Sequence, residues 1–166
     1  MDWQKKTVVV TGGASFIGSA LVDELVARGA RVRVVDNLSS GKLENLESSQ
    51  KTGKVEFIQA DLLEPGMADR AVQGMDIVFH LAADHGGRGY VDLHQAACAT
   101  NLTLDGLVFQ ACSRAKVRKV VYASSGCVYP NYLQTNPSEV LYLTEDRSAH
   151  PMTPIICMAG PNSWLR

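Results

Sequence analysis

No stretch of the chain approaches the roughly 20 consecutive apolar residues of a membrane-spanning helix, so the sequence offers no transmembrane segment. An excess of one charge is missing as well: 16 Lys and Arg against 17 Asp and Glu leave a net charge of −1. No basic stripe recommends nucleic acid as a partner. The four cysteines, Cys98, Cys112, Cys127 and Cys157, lack the paired spacing of a zinc site, and reduced thiols in a cytoplasm are the economical reading. Lys5-Lys6 followed by Thr7-Val8-Val9-Val10 faintly imitates a secretory leader, but a glycine turn ends the apolar run early and no Ala-x-Ala cleavage pattern closes it. Repeats, low-complexity tracts and an interdomain linker are absent too. What is left is one soluble globular domain of 166 residues, 46% apolar and long enough to bury a core.

Strand and helix patterns alternate along it. Val8–Val10, Arg31–Val35, Val55–Gln59, Ile77–Leu81 and Lys119–Ala123 read as strands. Helical spacing marks Phe16–Arg28, stopped by Gly29, then Met67–Val72, then one long helix over Tyr90–Arg114 with Leu93, Ala97, Leu104, Leu107, Val108 and Ala111 on one face. Continuous apolar strands separated by helices imply a parallel sheet covered on both sides. The expected fold is therefore α/β, a Rossmann-type doubly wound sheet in three α/β/α layers. After Ser125 the pattern loosens into a loop bearing Pro and Asn, Tyr129–His150.

The most informative segment is Thr11-Gly12-Gly13-Ala14-Ser15-Phe16-Ile17-Gly18, which follows the first strand and opens the first helix. A glycine-rich turn in that place lets backbone N–H groups and a helix N-terminus face a pyrophosphate. Glycine alone is weak evidence, since turns use it freely. Here the second strand ends in Asp36, an acidic residue about 20 positions on, placed to accept both ribose hydroxyls and to favour NAD over NADP.

Other positions carry two readings. Asp61, after the third strand, can bond an adenine amino group or simply cap the next turn. His80-Leu81-Ala82-Ala83 ends the fourth strand with small residues that let a cofactor lie close to the backbone, while His80 itself reads as a packed, hydrogen-bonded histidine. Gly86-Gly87-Arg88-Gly89-Tyr90 is either a flexible turn or a pocket for sugar or phosphate, with Arg88 supplying charge. Asn101, inside an apolar helix, must satisfy its amide, so a structural bond is expected. Tyr122–Pro130 leaves the carboxyl end of the fifth strand, where ligands of open α/β sheets bind. Ser125 there can hydrogen-bond a reacting alcohol or ketone, and Cys127 can act as acid or base if its pKa is tuned. Standing alone, Cys127 reads as a buried, inert thiol.

With these residues in view, the chain resembles the extended short-chain dehydrogenase/reductase family, the NAD-dependent sugar-nucleotide epimerases and dehydratases. The carriers are Thr11–Gly18, Asp36-Asn37-Leu38-Ser39-Ser40-Gly41, Asp61-Leu62, His80–Ala83, Asn101 and Ala123–Pro130, within a span from about Lys6 to Glu145. Gly86–Tyr90 and Ser125–Pro130 look most like the GDP-mannose 3,5-epimerase and GDP-fucose synthase branch. The resemblance implies NAD as cofactor, with Gly12, Ser15, Phe16, Ile17, Gly18, Asp36, Asn37, Ser39, Ser40, Gly41, Asp61, Leu62, Leu81, Ala82, Ala83, Asn101 and Ser124 binding it. It implies a nucleotide-sugar substrate, oriented by Ser125, with Cys127 exchanging protons, and a homodimer through the helix near 90–114.

Two departures stand out. Ser15 replaces the family's glycine at the closest approach to the pyrophosphate; its Cβ weakens the fit, but its hydroxyl can bond a phosphate. More severely, the window for the family's Tyr-x-x-x-Lys pair reads Ile155–Arg166 and holds neither residue, and Gly160-Pro161 opposes a helix there. One codon spelling of Ile155–Arg166, read from the last base of the Pro154 codon, gives Asp-Asn-Met-Tyr-Gly-Trp-Ala-Lys-Leu-Met-Ala-Glu, a typical family helix. Residues 1–150 are thus expected to form the NAD-binding domain, and 151–166 to be a frameshifted tail. The sheet is then incomplete at its C-terminal end and the substrate domain missing. Losing a positioned base costs roughly 10²–10⁴ in rate, so negligible turnover is expected. The alternative is a non-catalytic NAD-binding sensor or interaction module.

Overall fold

The computed structural model describes residues 2–86, 88–124, 142 and 144. Its centre is a run of β-branched residues. Val8, Val9 and Val10 in β1 (Thr7–Thr11) are fully buried, their stiff side chains packing against both faces of the sheet. Four more strands join it: β2 (Arg31–Asp36), β3 (Val55–Gln59), β4 (Ile77–His80) and β5 (Lys119–Tyr122). All pair in parallel, in the order β3-β2-β1-β4-β5. The strand order reverses between β1 and β4, and in such sheets the crevice beyond the carboxyl ends at that point is where ligands bind.

Alternation along the strands sends side chains to two cores. Val8, Val10, Val32 and Val34 meet Val22, Leu25 and Val26 of α1 (Phe16–Ala27) on one face. Val9, Val35 and Val78 meet Ala68, Ala71 and Val72 of α3 (Met67–Val72) on the other. Leu104, Val108 and Ala111 of the long α5 (Gln95–Arg114) complete that second core. Each buried valine contributes roughly 1.5–3 kcal/mol relative to leaving it in water. The three α/β/α layers expected from the sequence follow from this two-sided burial.

The chain divides into two compact units. The first holds Met1–Ala83 and Thr103–Ala123, the second Asp84–Leu102 and Ser124–Arg166.

Element boundaries match the sequence reading within one residue at α1, β2, β4 and β5. Two elements differ. A short 3-10 turn, Leu43–Leu46, runs into α2 (Glu47–Gln50) where no element was expected. The single helix expected over Tyr90–Arg114 is two: α4 (Arg88–Leu93) and α5, with His94 between them. His94 offers both its backbone N–H and its ring Nδ1 to the Tyr90 carbonyl, each at 2.9 Å, and its ring stacks on Tyr90 at 4.3 Å. The helical period does not carry through this break, so Leu93 is 82% exposed instead of sharing the buried face of Leu104 and Val108.

Candidate functional site

The turn after β1 is built by steric necessity. Gly12 has φ +67°, and a Cβ placed on it would stand 3.0 Å from the backbone N and Cα of Ala82. A Cβ on Gly18 would lie 2.2 Å from the Gly12 carbonyl oxygen. Only glycine fits either place, and the result is a close approach of three backbone segments. Gly12 N–H donates to the Val35 carbonyl at 2.8 Å, which seats the turn on β2.

Ser15 is the N-cap of α1. Its Oγ accepts from Gly18 N–H at 3.2 Å and donates to the Gly12 carbonyl at 2.7 Å. The hydroxyl is therefore turned inward, its proton given to the Gly12 carbonyl, which also accepts from the Ser15 N–H at 3.2 Å. The N–H groups of Phe16 and Ile17 lie in the first helical turn, ahead of any intrahelical acceptor. Both side chains are exposed, and α1 has no acidic residue in its first turn. Free donors, a positive dipole end and no competing carboxylate suit an anion.

Asp36 closes the cradle from β2. One carboxylate oxygen accepts from the Ala14 N–H at 2.9 Å, the other from the Leu38 N–H at 2.8 Å, and the residue is 8% exposed. The second bond holds Leu38 in a left-handed conformation, φ +59°. Two bonds leave further lone pairs on the same oxygens. The loop that follows returns to grip the turn: Lys42 N–H and Asn45 Nδ2 both donate to the Ala14 carbonyl, at 3.0 and 2.8 Å. Asn45 escaped the sequence reading, since an exposed Asn in a single 3-10 turn carries no periodic signal. Gly41 is needed here as well, for its Cβ would stand 3.0 Å from Ala14 and from Asp36 Oδ1. Asn37, Ser39 and Ser40 are exposed along the rim.

Asp61 makes the bonds of the blander reading: Oδ1 accepts from Leu63 N–H at 2.9 Å, and Oδ2 accepts from Asn37 Nδ2 at 3.3 Å. It borders the same rim through Asn37. Leu62 is 4% exposed and its side chain is committed to the second core, which leaves its backbone alone for any ligand.

At the carboxyl end of β4, Leu81 and Ala82 are half-buried and Ala83 exposed. Both Leu81 and Ala82 N–H groups donate to Thr11 Oγ1 at 3.1 Å. His80 is buried and bonded at both ring nitrogens, to Thr11 Oγ1 at 2.7 Å and to Asp105 Oδ1 at 3.1 Å, as a packed histidine should be. Tyr122 donates to Asp105 Oδ2 at 2.8 Å. Burial first, then that bond, pushes the Tyr122 phenol well above its ordinary range. Asp105 and Tyr122 were not singled out from the sequence; a buried carboxylate on a helix has no local signature.

In the second unit, Asn101 spends its amide on one peptide. Its Oδ1 accepts from the Asp84 N–H at 2.7 Å and its Nδ2 donates to the Asp84 carbonyl at 2.8 Å, the structural bonding expected of it. Tyr90 donates to Asp84 Oδ1 at 3.0 Å, and this bond raises the Tyr90 pKa. Gly86 leaves room for the Tyr90 ring, which a Cβ would strike at 2.5 Å. Ser124 is exposed. Ser125, Cys127 and residues 151–166 lie outside the described residues.

A groove of about 320 Å³ lined by Thr7, Arg31, Arg33, Lys54 and Glu56 opens at the amino ends of β1–β3, the wrong end of the sheet for a dinucleotide. Among the described residues no cluster of His, Cys, Asp or Glu could hold a metal ion, and no helix is long and apolar enough to cross a membrane.

The family model described as the NAD dependent epimerase/dehydratase family matches residues 8–155 of this chain. The chain belongs to that family. Within it, the chain is 40% identical over 119 residues to a UDP-glucose 4-epimerase of Mycolicibacterium smegmatis, covering 71% of this chain and 38% of the relative. A UDP-N-acetyl-alpha-D-glucosaminuronate decarboxylase of Bacillus cytotoxicus is 38% identical, over 75% of this chain and 38% of its own length. Among solved structures, a UDP-N-acetylglucosamine 4-epimerase from Methanobrevibacter ruminantium in complex with UDP-N-acetylmuramic acid aligns with TM-score 0.79 and 33% identity, over 97% of this chain and 48% of that one. A UDP-glucose 4-epimerase from Thermus thermophilus in complex with NAD aligns with TM-score 0.75 and 31% identity, over 96% and 49%. The chain thus spans between about a third and a half of the length of these members of the epimerase/dehydratase family.

Proposed function

We propose that this chain is the NAD-binding portion of a nucleotide-sugar epimerase- or dehydratase-type oxidoreductase. The observation that carries the reading is the pairing of the Gly12–Gly18 cradle with Asp36 across β1 and β2. The first-turn N–H groups of Phe16 and Ile17 would take the pyrophosphate, and the spare lone pairs of Asp36 the ribose hydroxyls. Asn37, Ser39, Ser40 and Gly41 border the adenosine, Asp61 and the Leu62 backbone the adenine, and Leu81, Ala82 and Ala83 the rest of the cofactor. A carboxylate at Asp36 repels a ribose 2′-phosphate, so NAD is favoured over NADP. When bound, the nicotinamide accepts and returns a hydride; this chain's part is to hold it. Titration calorimetry with NAD, on the chain and on Asp36→Ala, tests the assignment: saturable binding lost in the variant supports it.

The finer reading places the substrate in the GDP-mannose 3,5-epimerase and GDP-fucose synthase branch, on the strength of Gly86–Tyr90 and Ser125–Pro130. Ser125 would orient a sugar alcohol and Cys127 exchange its protons. The relatives reported above carry UDP sugars in their names, so competition between GDP and UDP sugars separates the branches. A homodimer through the 90–114 region and a cytoplasmic location complete the proposal.

For the 166 residues themselves, without a Tyr-x-x-x-Lys pair, we propose negligible turnover. NAD reduction or epimer formation with any nucleotide sugar would refute it. Residues 151–166 are proposed to come from a shifted reading frame. Coding DNA whose alternate frame continues through Tyr-Gly-Trp-Ala-Lys would support that, and a frame without such a continuation would remove it.

A further inference from the structure

The buried polar groups behind the cradle fix one proton arrangement. Thr11 Oγ1 accepts from two N–H groups, Leu81 and Ala82, both at 3.1 Å. A hydroxyl has two acceptor sites and one proton, so the proton must go to its third neighbour, His80 Nδ1, at 2.7 Å. His80 Nδ1 is then an acceptor and carries no hydrogen. The ring hydrogen sits on Nε2 and donates to Asp105 Oδ1 at 3.1 Å. Asp105 Oδ2 accepts from the Tyr122 hydroxyl at 2.8 Å. Three strands and α5 are joined in one network whose donors converge on Asp105, with the His80 ring packed edge-on to Phe109 at 5.9 Å.

Tautomer and backbone are therefore coupled. If His80 took the Nδ1–H form, its hydrogen would point at the Thr11 hydroxyl. Thr11 would have to rotate and release the Ala82 N–H, while the Leu81 N–H keeps its second bond, to the Thr11 carbonyl at 3.3 Å. Ala82 is the backbone that stands 3.0 Å from where a Gly12 Cβ would be, so the cradle would widen where it must be closest.

We propose that His80, held as its Nε2–H tautomer by Asp105 and Tyr122, is a positioning residue for the dinucleotide. It acts through Thr11, which holds the Leu81 and Ala82 N–H groups and sets the approach of β4 to the glycine turn. The proposal rests on the NAD reading above, and its test keeps the two apart.

The full chain, ¹⁵N-labelled, reports the His80 tautomer by long-range ¹H–¹⁵N correlation, with His80→Gln supplying the assignment. NAD affinity is measured alongside by calorimetry. In Asp105→Asn, Oδ1 still accepts from His80 and Nδ2 donates to the Tyr122 oxygen, so the tautomer stays and affinity falls by less than about threefold. Asp105→Leu removes the acceptor, mixes the tautomers and weakens NAD by about tenfold, the scale of one buried hydrogen bond. Tyr122→Phe serves if the leucine variant fails to fold, with about threefold weaker binding expected. An Nδ1–H ring in the unmodified chain overturns the proposal. So does unchanged NAD affinity in a folded Asp105→Leu or, failing that variant, in Tyr122→Phe. If the unmodified chain shows the Nε2–H ring but binds no NAD, the cofactor reading falls and takes the positioning role with it. NAD binding insensitive to the variants removes the positioning role alone.

Discussion

Replacing Asp36 by alanine should damage the folded chain before any ligand is added. The carboxylate accepts two backbone N–H bonds, from Ala14 at 2.9 Å and Leu38 at 2.8 Å. Hydrogen bonds to a charged group contribute about 1.5–3 kcal/mol each. The two are not equal. Ala14 is fully buried, so its N–H loses its partner where water does not reach. The Leu38 N–H is less buried, and water recovers part of that loss. A destabilisation of about 3 kcal/mol follows, which for a chain of this size lowers the melting temperature by about 6–12 °C. Asp36→Asn should fall between: its oxygen keeps the Ala14 bond, while its amide group faces the Leu38 N–H, donor against donor. Far-UV circular dichroism melts of the three proteins without cofactor decide the matter. A melting temperature for Asp36→Ala within about 2 °C of the unmodified chain would refute the claim that this carboxylate holds the turn.

Gly18→Ala places a Cβ 2.2 Å from the Gly12 carbonyl, and the backbone shift that follows costs about 3 kcal/mol or more; a folded variant with undiminished NAD affinity would contradict the packing described. Asp76 accepts from the Thr7 N–H at 3.0 Å, and this bond above all holds its carboxyl below the ordinary carboxylate range. Its contribution is complete above about pH 4 and is lost as pH falls through the lowered native value, so Asp76→Asn should flatten the acid limb of a stability–pH curve; an unchanged limb would show that another carboxylate controls it. Burial pushes the Cys112 thiol up to about 11, leaving about one in a thousand ionised at pH 8. Iodoacetamide should spare Cys112 in the native chain and label it in denaturant; equal labelling would place the thiol in solvent.

The sheet was legible because its strands are short apolar runs bounded by turn residues. Val8–Val10 before Gly12 is buried on both faces, and Val32, Val34 and Val35 before Asp36 are buried around the partly exposed Arg33; short β-branched runs bounded by turn residues are read as strands of a parallel sheet. The cradle was legible for a similar reason: glycine at 12 and 18 and a carboxylate at 36 are local facts with a geometric cause. What escaped depends on distance in sequence. Thr11 and His80 are 69 residues apart, and His80 and Asp105 are 25 apart. His80 could be read as packed and bonded, but not to whom. That the Ser15 hydroxyl donates to the carbonyl of Gly12, three residues back, has no signal in the sequence either. The break at His94 was hidden because the sequence spacing of Leu93, Ala97 and Leu104 fits one helix even though the folded helices do not share that face, and the stacking of Tyr90 on His94 has no signature in that spacing.

The most direct test is calorimetric titration of the 166-residue chain with NAD and, separately, NADP. Saturable one-to-one binding of NAD, with NADP weaker by about tenfold or more because Asp36 opposes a 2′-phosphate, is expected. A folded chain that binds neither, or that binds both equally, would contradict the assignment of this cradle to NAD.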